Sequence, residues 1–174
     1  QLVFESCSKH CGIEIEGYIK PSDNFTFSVA YGLCDSEYDK FDSSGLVGKQ
    51  VLNLLLKDKE IQKIKALVRK QMPVSHPKLE QIVVDFSDLE AFKKTMIGGN
   101  ILYCAVGTTL KKVKSDKEAY RKVDFDIPVN AARFAKDLNY DHFSLISAVG
   151  ANATSGNFYL KLKGQVEKTI EQLE

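Results

Sequence analysis

The sequence is short of the features that would place it in several broad classes. No run of apolar residues approaches the roughly eighteen that a membrane span requires, so no membrane-spanning segment is expected. Charge of one sign is not in excess. Lys and Arg number 24 against 23 Asp and Glu, and a net charge of +1 gives no reason to expect a nucleic-acid partner. The chain begins Gln1-Leu2-Val3-Phe4-Glu5, with neither an initiator Met nor the basic-then-apolar pattern of a secretory signal, so a fragment or a processed form is expected. Its four cysteines, Cys7, Cys11, Cys34 and Cys104, form no recognisable disulfide framework. Cys7 and Cys11 flank His10, but structural zinc takes four ligands in paired short spacings and a second pair is missing; no metal site is expected. A reduced, cytoplasmic chain is the plainer reading. The G-K-[ST] signature of a phosphate loop is also missing from Asn100 to Leu110, which sets aside a nucleotide triphosphatase.

What is present is a chain of 174 residues, 44% hydrophobic and 27% charged, enough for one domain with a substantial core. Its texture changes near residue 43. Residues 1–42 mix charge, Ser, Asp, Gly and aromatics without a sustained period, and only Phe25 to Tyr31 is strand-like, through aromatic and β-branched enrichment. We read this stretch as an irregular segment that could supply a first strand, and residues 43–174 as the domain proper. From residue 43 strand and helix signals alternate. Leu46–Leu56 reads as a helix, Ile64–Val68 as a short buried strand, and Ile82–Val84 as another. A helix start follows at Ser87, where Ser-Asp-Leu-Glu matches a capping box closed by Glu90. Ile101–Val106 reads as a strand ended by Gly107, Asp126–Leu138 as a helix with Pro128 in its first turn, His142–Ile146 as a strand and Phe158–Leu173 as a last helix. Short apolar strands alternating with amphipathic helices predict βαβ units, hence a Rossmann-like, doubly wound parallel sheet. In such sheets ligands sit beyond the carboxyl ends of the strands.

Three features fall at those ends. Ser43-Ser44-Gly45-Leu46-Val47-Gly48 opens the first helix, where glycine lets a pyrophosphate approach and the helix amino terminus offers free N–H groups. A third glycine would be expected at position 42, but Asp42 stands there, and Ser36 to Asp42 is too polar for a leading strand. Either the loop is damaged, or Phe25–Tyr31 is the strand, Gly32 the first glycine, and the residues before Gly45 an insertion. Arg69-Lys70 ends the Ile64 strand, where an acidic residue would hold the ribose of NAD and a basic pair suits the extra phosphate of NADP; ordinary solvated charge is the bland alternative. Tyr159 and Lys163 stand four apart, on one face of a helix, and Ser147 lies just after the preceding strand. A nearby ammonium favours the phenolate and makes a tyrosine a usable acid–base catalyst, while a serine hydroxyl can hold the substrate oxygen.

Other titratable residues read blandly. His10, His76 and His142 suit loops or strand ends, Lys111-Lys112-Val113-Lys114 a solvated loop, and Asp124 with Asp126 capping and dipole roles at a helix start.

From Gly45 to Leu173 the chain resembles the atypical short-chain dehydrogenases of the Tat-interacting-protein type, the NAD(P)-binding oxidoreductase-like family. The resemblance rests on Ser44-Gly45-Leu46-Val47-Gly48, Ala66-Leu67-Val68-Arg69-Lys70, Val83-Val84-Asp85-Phe86, Cys104-Ala105-Val106-Gly107-Thr108-Thr109 and Arg121-Lys122-Val123-Asp124. It continues through Leu145 to Ala151 and Asn157 to Gly164. It implies NADPH, in preference to NADH, as the dinucleotide, and Ser147, Tyr159 and Lys163 as a catalytic triad. It implies Gly45 and Gly48 under the pyrophosphate and Arg69, with Lys70 beside it, against the adenosine phosphate. Asp85 would lie near the adenine, with Gly107 and Thr108 along the ribose and phosphate side. It further implies strands and a substrate-binding segment beyond the last helix, so that a sheet made of this chain alone would leave an edge exposed; either a protein partner or a second copy covers that edge, or the chain is a fragment of limited stability. Two functions follow: an NADPH-dependent oxidoreductase acting on a small carbonyl or hydroxyl substrate, or a catalytically inactive NADP(H)-binding sensor or interaction module.

Overall fold

The computed structural model of the chain describes residues 3–5, 26–30 and 43–173, with side chains from Val47 to Leu173. Six strands form one sheet: β1 (Val3–Glu5), β2 (Thr26–Ala30), β3 (Lys63–Val68), β4 (Leu79–Val83), β5 (Ile101–Cys104) and β6 (His142–Ile146). Their order across the sheet is β1-β6-β5-β2-β3-β4, and every neighbouring pair is parallel. The helices are α1 (Ser43–Lys57), α2 (Leu89–Met96), α3 (Lys117–Arg121), α4 (Ile127–Asp137) and α5 (Phe158–Glu171), with one π turn, Lys122–Asp126, joining α3 to α4. This is the doubly wound, Rossmann-like arrangement that the alternation of elements predicts.

Strand periodicity explains the two faces. Ile64, Ala66 and Val68 of β3 point one way and join Val51, Leu52 and Leu55 of α1 with Ile61 and Met72. Leu67 points the other way and joins Leu102 and Cys104 of β5, Phe92 and Met96 of α2, Ala131 and Ala135 of α4, and Val166 and Ile170 of α5. Phe92 is the pivot of that second layer, packed edge-to-face on Phe86 at 4.8 Å and on Phe134 at 5.4 Å.

Several elements depart from the sequence reading. Helix α1 begins at Ser43 rather than Leu46, so Gly45 lies in its first turn and Gly48 is buried one turn on. The strand expected at Ile82–Val84 runs from Leu79 to Val83. The cap of α2 is Asp88, whose carboxylate accepts from Ala91 N at 3.0 Å, and Ser87 instead donates its hydroxyl to Asp85 at 2.6 Å. A carboxylate is the stronger acceptor for an orphan helix N–H, so the helix is capped one residue later, and with Ala91 at its third position the expected box does not form. Asp116 likewise caps α3 through Glu118 N and Ala119 N, an element with no counterpart among the helices expected from the sequence. The edge beyond β6, expected to be open, is paired over Ser144–Ile146 by β1.

Cys104 is fully buried at the end of β5, and burial pushes its thiol up to about 11. The expected result is that Cys104 resists iodoacetamide at pH 8 in the folded protein and alkylates only in denaturant. Peptide mass mapping checks this, and rapid labelling of the native chain at Cys104 would count against it.

Candidate functional site

Strand β2 lies between β3 and β5, so the chain winds outward from it in both directions, and the crevice of the fold opens at the carboxyl ends of β2 and β5. Ala30 ends β2 opposite Leu67 of β3 and Cys104 of β5, and Cys104 is opposite Leu145 of β6. The segments that follow these strands therefore emerge at one end of the sheet. They carry Arg69 and Lys70 after β3, Asp85 after β4, Gly107 and Thr108 after β5, and Ser147 after β6.

Within that crescent the side chains differ in environment. Arg69 and Lys70 are exposed. Asp85 is exposed too, and its carboxylate accepts from Ser87 Oγ and from Ser87 N at 2.9 Å. The Ser87 hydroxyl, then the Ser87 N–H, hold the Asp85 carboxyl below its ordinary range. Gly107 and Thr108 are buried, so what this loop presents is backbone. The loop 31–42, with Gly32 and Asp42, lies outside the described residues, as do Cys7, His10, Cys11 and Cys34; the interrupted and damaged readings of the glycine loop both rest there.

The remaining side chains of the site are gathered on α5. Asn157 caps the helix, accepting from Tyr159 N at 2.9 Å and Leu160 N at 3.2 Å, which fixes where its first turn begins. Tyr159, Lys163 and Glu167 then repeat at intervals of four and share one face. Tyr159 is 37% exposed and reaches solvent at the mouth of the cleft, whereas Lys163 is buried. The lysine Nζ stands 6.0 Å from the centroid of the tyrosine ring. Ser147 Oγ donates to Glu167 Oε1, which brings the serine against the same face one turn beyond the lysine. So the structure gathers Ser147, Tyr159 and Lys163 around one helix face, and it adds Glu167, which the sequence reading passed over although its spacing from Lys163 repeats that from Tyr159.

The larger surprise is Asp124. Neither it nor Asp126 caps α4, since no side-chain cap bond is made at that helix start. Asp124 sits in the π turn, fully buried, with Oδ1 3.0 Å from Lys163 Nζ and Oδ2 accepting from Thr108 N at 2.8 Å. The expectation of a capping role fails for a physical reason. A π turn adds a residue to the helical repeat and re-aims the side chains within it, here turning one carboxylate into the core instead of along the helix axis. A buried carboxylate needs a partner, and Lys163 supplies it.

Comparison with known proteins agrees with this geometry. A family model described as NAD(P)H-binding matches residues 43–172. Protein HTATIP2 of Rattus norvegicus is 31% identical over 135 residues, covering 76% of this chain and 55% of its own length. Protein FMP52, mitochondrial, of Meyerozyma guilliermondii is 34% identical over 134 residues, covering 76% of this chain and 57% of its own. The chain thus spans little more than half the length of these curated relatives. Among solved structures, the oxidoreductase YlbE of Lactococcus lactis superposes with a TM-score of 0.59 at 20% identity, over 82% of this chain and 61% of that one. Pen from Bacillus thuringiensis gives a TM-score of 0.67 at 12% identity, over 87% of this chain and 46% of that one. At such identities the structural likeness speaks for the fold. The family match, the parallel sheet and the cleft at its carboxyl ends agree, and the chain belongs to the NAD(P)H-binding, oxidoreductase-like family of short-chain-dehydrogenase type.

Proposed function

We propose that the chain carries the catalytic cleft of an NADPH-dependent oxidoreductase acting on a small carbonyl or hydroxyl substrate. The observation that carries this reading is the single face of α5, on which exposed Tyr159 stands above buried Lys163 with Ser147 alongside.

The residues present suit a dinucleotide. The amino end of α1, with Gly45 in its first turn and Gly48 behind it, offers N–H groups to a pyrophosphate. Arg69 and Lys70, exposed at the end of β3, suit a phosphate on the adenosine ribose, and Asp85 at the end of β4 would sit by the adenine. The buried backbone of Gly107 and Thr108 would line the ribose side. When bound, the nicotinamide supplies or accepts a hydride. Tyr159, reaching solvent, is placed to pass a proton to the substrate oxygen, and Ser147 to hold that oxygen by a hydrogen bond. Lys163 holds its charge beneath the tyrosine. A reduced, cytoplasmic setting belongs to the same proposal, and the sequence's lack of a recognisable disulfide framework is what supports it.

One observation favours a second reading, a catalytically inactive NADP(H)-binding module. The Ser147 hydroxyl is directed to Glu167 and the Lys163 ammonium to Asp124, so both groups are already engaged.

The test is a titration with NADPH and with NADH, followed by cofactor fluorescence. Saturable binding of NADPH is expected, and Arg69→Glu should weaken it about ten-fold or more, through loss of a charge-assisted contact and gain of repulsion, while NADH is affected less. Absence of NADPH binding at millimolar concentration would sink the cofactor reading. Given binding, reduction of an aldehyde and ketone panel that disappears in Tyr159→Phe separates the enzyme from the inactive module.

A further inference from the structure

We infer that Asp124 is a positioning residue of the cleft: its one carboxylate holds Lys163 of α5 and the Thr108 N–H of the loop after β5 together. This rests on the dinucleotide reading above and deepens it.

The two oxygens are divided between two different elements. Oδ1 faces Lys163 Nζ at 3.0 Å, and Oδ2 accepts from Thr108 N at 2.8 Å. Both side chains of the ion pair are nearly inaccessible, 5% for the lysine and 1% for the aspartate, so water does not loosen their geometry. A pair this buried is a poor way to gain stability, because desolvating both charges offsets most of their attraction. Its value is in fixing geometry. A lysine has four side-chain torsions, and its position beneath Tyr159 needs something to select one arrangement. Asp124 does so from the far side while also setting the loop through Gly107 and Thr108. The carboxylate is itself held by the π turn that joins α3 to α4. Cys104, at the end of β5, senses both members: the lysine favours its thiolate and the aspartate opposes it.

Asp124→Asn keeps the shape and removes the charge. Two readouts follow, beside thermal melts of each protein. The first is a double-mutant cycle on NADPH affinity. Asp124→Asn should weaken NADPH about ten-fold, the worth of one charge-assisted hydrogen bond, and so should Lys163→Met. The double variant should be no weaker than either, because both act through the same lysine. Losses that multiply in the double variant, or unchanged affinity in folded Asp124→Asn, would overturn the assignment. The second readout needs no cofactor. Reductive methylation of Lys163, measured by mass spectrometry against exposed Lys168, should be slow in the wild type and clearly faster in Asp124→Asn. Equal rates in folded proteins would overturn the clamp, even if the wild type bound no NADPH and the cofactor reading had failed separately. If Asp124→Asn alone does not fold, the melts decide. Recovery of folding in the double variant supports the coupling, and a double variant as unfolded as the single refutes it.

Discussion

Gly164→Ala is expected to lower the melting temperature by about 6–12 °C, corresponding to about 3 kcal/mol for a chain of this size. The reason is a crossing of backbones. Gly164 lies in the second turn of α5, and the segment between β6 and α5 folds back over it. A methyl group there would stand 2.6 Å from Asn152 Cα, and closer still to the Asn152 carbonyl carbon and Ala153 N. These are main-chain atoms, so no rotamer change relieves the clash. Elsewhere alanine would favour a helix over glycine by about 1 kcal/mol, and here overpacking reverses that sign. The crossing segment is pinned as well, by Asn152 N donating to Leu160 O at 3.0 Å and by Thr154 N and Oγ1 on Asn152 Oδ1. The segment must therefore move away from α5, carrying the stretch that begins at Ser147 away from Tyr159 and Lys163. Thermal melts with cofactor titration check both parts. A variant that melts with the wild type would show that the crossing is looser than described.

Lys163→Met is expected to cost about 3–5 kcal/mol, because it removes the ammonium that lies 3.0 Å from the buried Asp124 carboxylate and leaves that charge uncompensated by Lys163. Adding Asp124→Leu should return much of that stability, since no buried charge then remains. The return stays incomplete by about 1–3 kcal/mol, because the Thr108 amide loses its acceptor. Urea unfolding of the wild type, the single and the double variant measures all three. A Lys163→Met chain as stable as the wild type would mean that the aspartate finds another partner. This prediction concerns stability alone and holds whether the cleft turns over a substrate or only binds one.

The legible parts of the sequence were those whose signal is local. Ile64 to Val68 read as a strand because a buried parallel strand is apolar on both faces, and His142 to Ile146 because Phe143 and Leu145 alternate with His142 and Ser144. The Tyr159–Lys163 spacing read correctly because residues four apart on a helix must share a face. Ser87 was mistaken for the cap of α2 because Ser and Asp are adjacent acceptors and only the folded backbone chooses between them. Asp124 was illegible for a deeper reason. Its neighbour Pro128 marks a helix start, and an acid before such a start is usually a cap; the π turn that redirects it has no sequence signature. Helix α3 hid because, of Lys117 to Arg121, only Tyr120 is buried. Strand β1 could not be found from Val3, Phe4 and Glu5, since three residues show no period and their partner is Ser144 to Ile146.

That last pairing also orders events in time. Val3 and its neighbour in the sheet, Ser144, stand 141 residues apart in the chain, the widest separation of any strand pair described. The strands β2 to β6 can pair with one another before that loop is closed. Closing so long a loop carries a large entropy cost, so β1 is expected to be the last strand to dock.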